Sequence, residues 1–189
     1  MNQYTYWKMV FDFIFAVILT IFLIPLLIVL WIITSLDTSS NGIFFQTRIG
    51  QHGRPFTIFK FKTIHQQKRT CSHTGRMLRK CKLDELPQLF NILKGDMSFV
   101  GPRPDIEGYY DKLTGTDRKV LKLKPGLTCE ASIKYRNEES LLKDQKDPLM
   151  YNDEILFPNK VKMNLEYLES MSFTNDTKIL FKTLITILK

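Results

Sequence analysis

A chain of 189 residues with 44% hydrophobic content is long enough for one domain with a modest core. Its three cysteines, Cys71, Cys81 and Cys129, exclude an extracellular disulfide framework and make a reducing, cytoplasmic environment the default. A net charge of +8 points to anionic partners: lipid headgroups, nucleotides or nucleic acid.

Residues 10–33 read VFDFIFAVILTIFLIPLLIVLWII, 24 residues whose single charge is Asp12. About 20 apolar residues are needed to cross a hydrocarbon core about 30 Å thick, so this is a membrane helix. It is too long for a signal-peptide core, has only Lys8 before it, and lacks an A-x-A cleavage site after it, which marks it as retained. Pro25 sits at its middle, removes one backbone hydrogen bond and predicts a bend. A bent helix can enter the bilayer and return to the same face. A simple span would place the basic region after it in the cytoplasm, and a re-entrant helix would place both ends there.

After the turn-rich SLDTSSNG (35–42), two β-prone runs at 43–47 and 56–64 flank Gly50-Gln51-His52-Gly53 and predict a β-hairpin. Lys60 and Lys62, two apart, would share a face of its second strand. From Gly75 the pattern turns helical, and a fresh helix starting at Asp84 tolerates Pro87 in its first turn. That phasing puts Leu86, Leu89, Phe90 and Leu93 on one face, with Gly95 as the stop. Residues 95–104 read as a loop stiffened by Pro102 and Pro104, residues 105–123 as a helix, and LKPGLT (123–128) as a turn. A further helix is expected over 135–147, ended by Pro148. The tail from 161 to 189 has the helical spacing of surface-lying amphipathic helices. The fold class is therefore α+β and mostly helical: a membrane-inserted segment at 1–36 and a cytoplasmic-face domain at 37–189.

Between Asp37 and Asp84 there are ten basic residues (Arg48, Arg54, Lys60, Lys62, Lys68, Arg69, Arg76, Arg79, Lys80 and Lys82) and no acid. Asp84-Glu85 then stands at a helix start, where acids also serve as ordinary caps. Nearby cations and helix N–H groups would hold Asp84 ionised and able to attack phosphorus, while Glu85 could ligate a hard cation such as Mg²⁺. Lys60, Arg79, Arg103 and Arg136 are candidates to neutralise a diphosphate. A zinc site at Cys71, His73 and Cys81 has no standard spacing. No helix-turn-helix, zinc-finger or RNP pattern accompanies the charge, so nucleic acid is not the expected partner; anionic membrane lipid or lipid phosphate is simpler.

The central stretch KLDELPQLFNILKGDMSFVGPRP (82–104) closely resembles the signature of the bacterial sugar transferase family, the monotopic phosphoglycosyl transferases. FDFIFA, FFQTRIG, FKFKTI, LKPGLT, Arg136-Asn137 and LEYLESMSF agree with it in order. The resemblance implies a ping-pong reaction at the cytoplasmic face of the bacterial inner membrane. In it Asp84 would attack a UDP-sugar, release UMP and pass the phosphosugar to a polyprenol phosphate, typically undecaprenyl phosphate. Glu85 would help bind Mg²⁺, and Lys60, Arg79, Arg103 and Arg136 match positions near the phosphates or linked to substrate binding. The family's membrane helix is re-entrant at a Ser-Pro pair, where this chain has Ile24-Pro25. Cys129-Glu130-Ala131 stands where most members have Gly-Trp-Ala, and Asn164 where many carry an acid. The competing reading is a catalytically silent, membrane-anchored basic scaffold of a glycan assembly complex. Nothing in the sequence sets the sugar or the oligomeric state.

Overall fold

The computed structural model describes residues 3–65 and 70–188; Lys68 and Arg69 of the basic stretch, and the last residue of the tail, lie outside them. Helix α1, Gln3–Thr38, is one continuous element through Pro25 and ends where Ser39 and Gly42 take positive φ. It extends two residues past the expected boundary, with Thr38 Oγ1 donating to the Thr34 carbonyl at 2.7 Å. Its buried side chains fall on one stripe: Lys8, Asp12, Ala16, Thr20, Leu27, Leu30, Thr34 and Thr38, at intervals of three or four or their sums. The other face exposes Phe13, Ile14, Ile18, Ile21 and Phe22. Such a face is not left to water, so α1 belongs in a lipid bilayer.

The hairpin forms as expected, with β1 (Ile43–Ile49) antiparallel to β2 (Pro55–Phe61) around Gln51–Gly53. Phe44 pairs with Lys60 and Arg48 with Phe56, so Phe44, Gln46, Arg48 and Lys60 share one face. Helix α2, His73–Lys80, starts where Ser72 Oγ accepts from the Gly75 amide at 2.8 Å. A Cβ on Gly75 would meet the Thr63 carbonyl oxygen at 2.4 Å, so α2 lies backbone against backbone on the chain leaving β2. The segment carrying Asp84 is a 3₁₀ helix, Leu83–Gln88, running into the short α3, Leu89–Leu93, and Gly95 ends it at φ +82.

Beyond α3 several expectations are corrected. The expected loop contains β3 (Ser98–Val100), and the expected turn contains β4 (Gly126–Thr128); the two form a small parallel sheet. Residues 105–123 are not a helix but two 3₁₀ turns, Tyr110–Lys112 and Asp117–Lys122, because Gly108 and Gly115 adopt positive φ between and before them. In place of one helix over 135–147, α4 (Glu130–Lys134) and α5 (Glu138–Lys143) are separated at Tyr135 and Asn137, whose ψ angles are not helical. Helix α6 (Pro148–Tyr151) continues through a π turn at Asn152–Leu156 into α7 (Phe157–Ser170). The tail then forms α8, Phe173–Leu188, which exposes Phe173, Phe181 and Leu184 and buries Asp176 and Ile179. One core joins Ala16 of α1 to Ile58, Leu89, Phe99, Val161 and Ile179. A second packs Leu27 and Leu30 on Phe61 and Leu78.

Candidate active site

Lys82, in the left-handed region at φ 57, turns the chain from α2 into the 3₁₀ segment and drives Asp84 and Glu85 inward. They are only 8% and 6% exposed. Lys60 comes from β2 and Arg103 from the loop after β3. Arg103 Nη2 donates to Glu85 Oε1 at 2.7 Å and Lys60 Nζ to the same oxygen at 3.1 Å, leaving Oε2 only a 3.5 Å contact. Burial alone would raise the Glu85 carboxyl, but Arg103 and then Lys60 overcome it and hold it at about 2. Asp84 goes the other way: burial raises it, the Glu85 charge adds to that, and Lys60, Lys82 and Arg79 offset only part. Burial and the Glu85 charge thus work against the ionisation of Asp84 that Lys60, Lys82 and Arg79 favour. Asp84 Oδ1 is buried with no hydrogen-bond partner.

Asp84 and Glu85 lie in a cleft of about 1300 Å³ that Lys60, Arg79, Arg103 and Arg136 also line, so all six sequence candidates meet at one site. Arg79 is set by its Nε donating to Thr63 Oγ1 at 2.8 Å. Arg136 stands exposed at the turn between α4 and α5. Sequence reasoning gave no role to Arg48, which lines the cleft beside Lys60 and pairs with Gln46 at 2.7 Å and Asp105 at 3.8 Å. Its signal was the alternation Phe44, Gln46, Arg48 opposite Lys60, readable only once the register is known. No group of three His, Cys, Asp or Glu able to hold a metal occurs among the described residues. Two adjacent carboxylates, with Asp84 Oδ1 unpartnered and Glu85 Oε2 nearly so, do suit Mg²⁺, which takes one or two carboxylates and completes its shell with waters and phosphate oxygens.

The family model described as bacterial sugar transferase matches residues 3–189. The chain belongs to the bacterial sugar transferase family. This sugar transferase is 35% identical over 161 residues to the uncharacterized sugar transferase EpsL of Bacillus subtilis, covering 80% of the chain and 72% of that protein. To the UDP-glucose:undecaprenyl-phosphate glucose-1-phosphate transferase of Caulobacter vibrioides it is 31% identical, over 96% of the chain and 69% of that protein. The undecaprenyl-phosphate galactose phosphotransferase of Salmonella typhimurium is 28% identical over 96% of the chain, which spans 40% of that longer protein.

The departures from the family pattern have local partners in this sugar transferase. Cys129 Sγ accepts from the Ser132 amide at 3.3 Å and caps α4, and Glu130 pairs with Lys182 of α8 at 2.6 Å. The Glu130–Lys182 pair ties α4 to the C-terminal helix. Asn164 is buried and donates to the Tyr110 hydroxyl at 3.0 Å.

Proposed function

We propose that this sugar transferase moves a phosphosugar from a UDP-sugar to a polyprenol phosphate, as the names of its relatives suggest for undecaprenyl phosphate. One observation carries the reading: Asp84 is buried in a cationic cleft with Oδ1 unpartnered, while Glu85 has drawn off the two nearest cations. An attacking oxygen needs an uncommitted lone pair, and Asp84 has one. In the first half-reaction an Asp84 carboxylate oxygen bonds to the β-phosphorus. The bond from that phosphorus to the bridging oxygen breaks, and UMP leaves with that oxygen. In the second, an oxygen of the polyprenol phosphate bonds to the same phosphorus, the Asp84 oxygen is released as carboxylate, and a polyprenol diphosphosugar departs. Lys60, Arg79, Arg103 and Arg136 mask the phosphate charge so that one anion can approach another. Glu85, through Oε2, would hold Mg²⁺, which adds neutralisation of the diphosphate. The reaction takes place at the cytoplasmic face of the inner membrane, with α1 re-entrant, as the first membrane step of surface glycan assembly.

The test is UMP release from a panel of UDP-sugars with undecaprenyl phosphate and Mg²⁺, read together with intact mass. Wild type is expected to release UMP and to gain one phosphosugar when the acceptor is omitted; Asp84→Asn does neither. EDTA abolishes release and excess Mg²⁺ restores it. Identical behaviour of wild type and Asp84→Asn would leave only the scaffold.

A further inference from the structure

The cleft has two unlike walls. One presents Arg79, Lys82 and Arg136, suited to phosphates. The other, built by β1 and the chain after β2, presents Phe44 and Ile64, exposed by 39% and 43%. Phe44 lies directly across from Lys60, and cross-strand neighbours hold their Cβ atoms about 4.5–5.5 Å apart. An aromatic ring therefore borders the lysine that contacts Glu85. Phosphate gives such a wall nothing apolar to bury, and of the UDP-sugar only the uracil ring and the sugar's C–H face could pack on it.

The wall is continuous with the membrane helix. Trp31 Nε1 donates to the Asn41 carbonyl at 2.8 Å and Thr34 Oγ1 to the Gly42 carbonyl at 3.2 Å, and Asn41 and Ile43 already line the cleft. Lys62 stands at this junction. Its Nζ donates to Ser40 Oγ at 3.1 Å, and no carboxylate pairs with it among the described residues. An apolar track that leaves the bilayer, passes a cation with no carboxylate partner among the described residues and ends at Asp84 matches one kind of ligand, an isoprenoid chain with a phosphate head.

We propose that this wall is the acceptor subsite: the first isoprene units lie on Phe44 and Ile64, and Lys62 meets the phosphate on its way to Asp84. The assignment rests on the reading that the acceptor is a polyprenol phosphate. Its test separates the two half-reactions in detergent, comparing wild type with Phe44→Ser/Ile64→Ser and with Lys62→Gln. Loading is measured as single-turnover UMP release and as the mass of the adduct, and it persists in both variants, which also shows that they fold. Discharge to undecaprenyl phosphate and to geranyl phosphate falls about tenfold or more in kcat/KM. Loss of loading alone would assign the wall to the nucleotide and overturn the proposal. Wild-type discharge to geranyl phosphate in micelles would mean that the wall only seats the protein on the bilayer, and would overturn it too. If wild type itself never loads, the function reading falls first.

Discussion

Two neighbouring carboxylates in one turn are given opposite tasks by which cations they reach. Glu85 holds Lys60 and Arg103 and is ionised throughout the useful pH range, whereas Asp84 titrates above the ordinary aspartate value of 3.8. The signs matter for stability. Glu85 contributes stability that is complete above its unfolded value of 4.5 and is lost as pH falls toward about 2. Asp84, being raised, favours the fold most below 3.8, and that contribution is lost as pH rises through its folded value. On the proposed mechanism only ionised Asp84 attacks, so phosphosugar loading should fall as pH drops through the raised value. Lys60 is among the groups that lower it, so Lys60→Gln moves the acid limb of the loading profile to higher pH. Single-turnover UMP release measured across the acid range checks this, and an unmoved limb would remove Lys60 from any role on Asp84. The membership of the site was legible in the sequence, because charge spacing and the signature around Asp84 name residues that meet in one cleft. The division of labour was not. Which carboxylate takes the cations depends on the backbone turn at Lys82, whose positive φ no residue preference at that position announces.

The elements around the dyad explain what patterning missed. Helical phasing put Phe90 on the apolar face, yet it is 44% exposed, while Asn91 is fully buried. The cause is the 3₁₀ geometry of Leu83–Gln88, which turns three residues per revolution and slips the phase before α3 begins. Asn91 thereby reaches the hairpin: its Nδ2 donates to the Thr57 carbonyl at 2.7 Å, and its Oδ1 accepts from the Phe59 amide at 3.0 Å. It thus fixes the dyad segment against the strand that carries Lys60. Asn91→Ala leaves the part-buried Phe59 N–H and Thr57 C=O without this partner, at up to about 1–3 kcal/mol each. Thermal and denaturant unfolding in detergent should therefore show a loss of about 2–5 kcal/mol. A change below about 0.5 kcal/mol, the scatter of ordinary surface substitutions, would show that β2 does not depend on this side chain. The hairpin itself was legible because seven-residue strands leave room for alternation; β3 and β4, three residues each, do not. Over 105–123 the composition looked helical, and two glycines in the left-handed region decided otherwise.

At the scale of the whole molecule, the position of α1 relative to the rest of the chain constrains its topology. Its 36 residues make a helix about 54 Å long, well beyond a hydrocarbon core of about 30 Å. Both ends of its buried stripe grip the same body. Near the N-terminus, Lys8 pairs with Asp176 of α8 at 2.5 Å, and Asp12 accepts from Ser98 Oγ at 2.6 Å. Toward the C-terminus, Leu27 and Leu30 pack on Phe61 and Leu78, and Thr34 bonds the Gly42 carbonyl. A helix crossing the bilayer would carry one set of these partners to the far side, stripping the buried Lys8 and Asp12 of the groups that compensate their charge, which is costly in an apolar medium. We propose on this ground that both ends lie on one face, with the bare apolar side in lipid. In a background free of native cysteines, Gln3→Cys and Ser40→Cys should each react with a membrane-impermeant maleimide in inverted membrane vesicles, and neither should react in intact cells. Labelling from opposite sides would establish a true span and require the ion pairs at Lys8 to break on insertion.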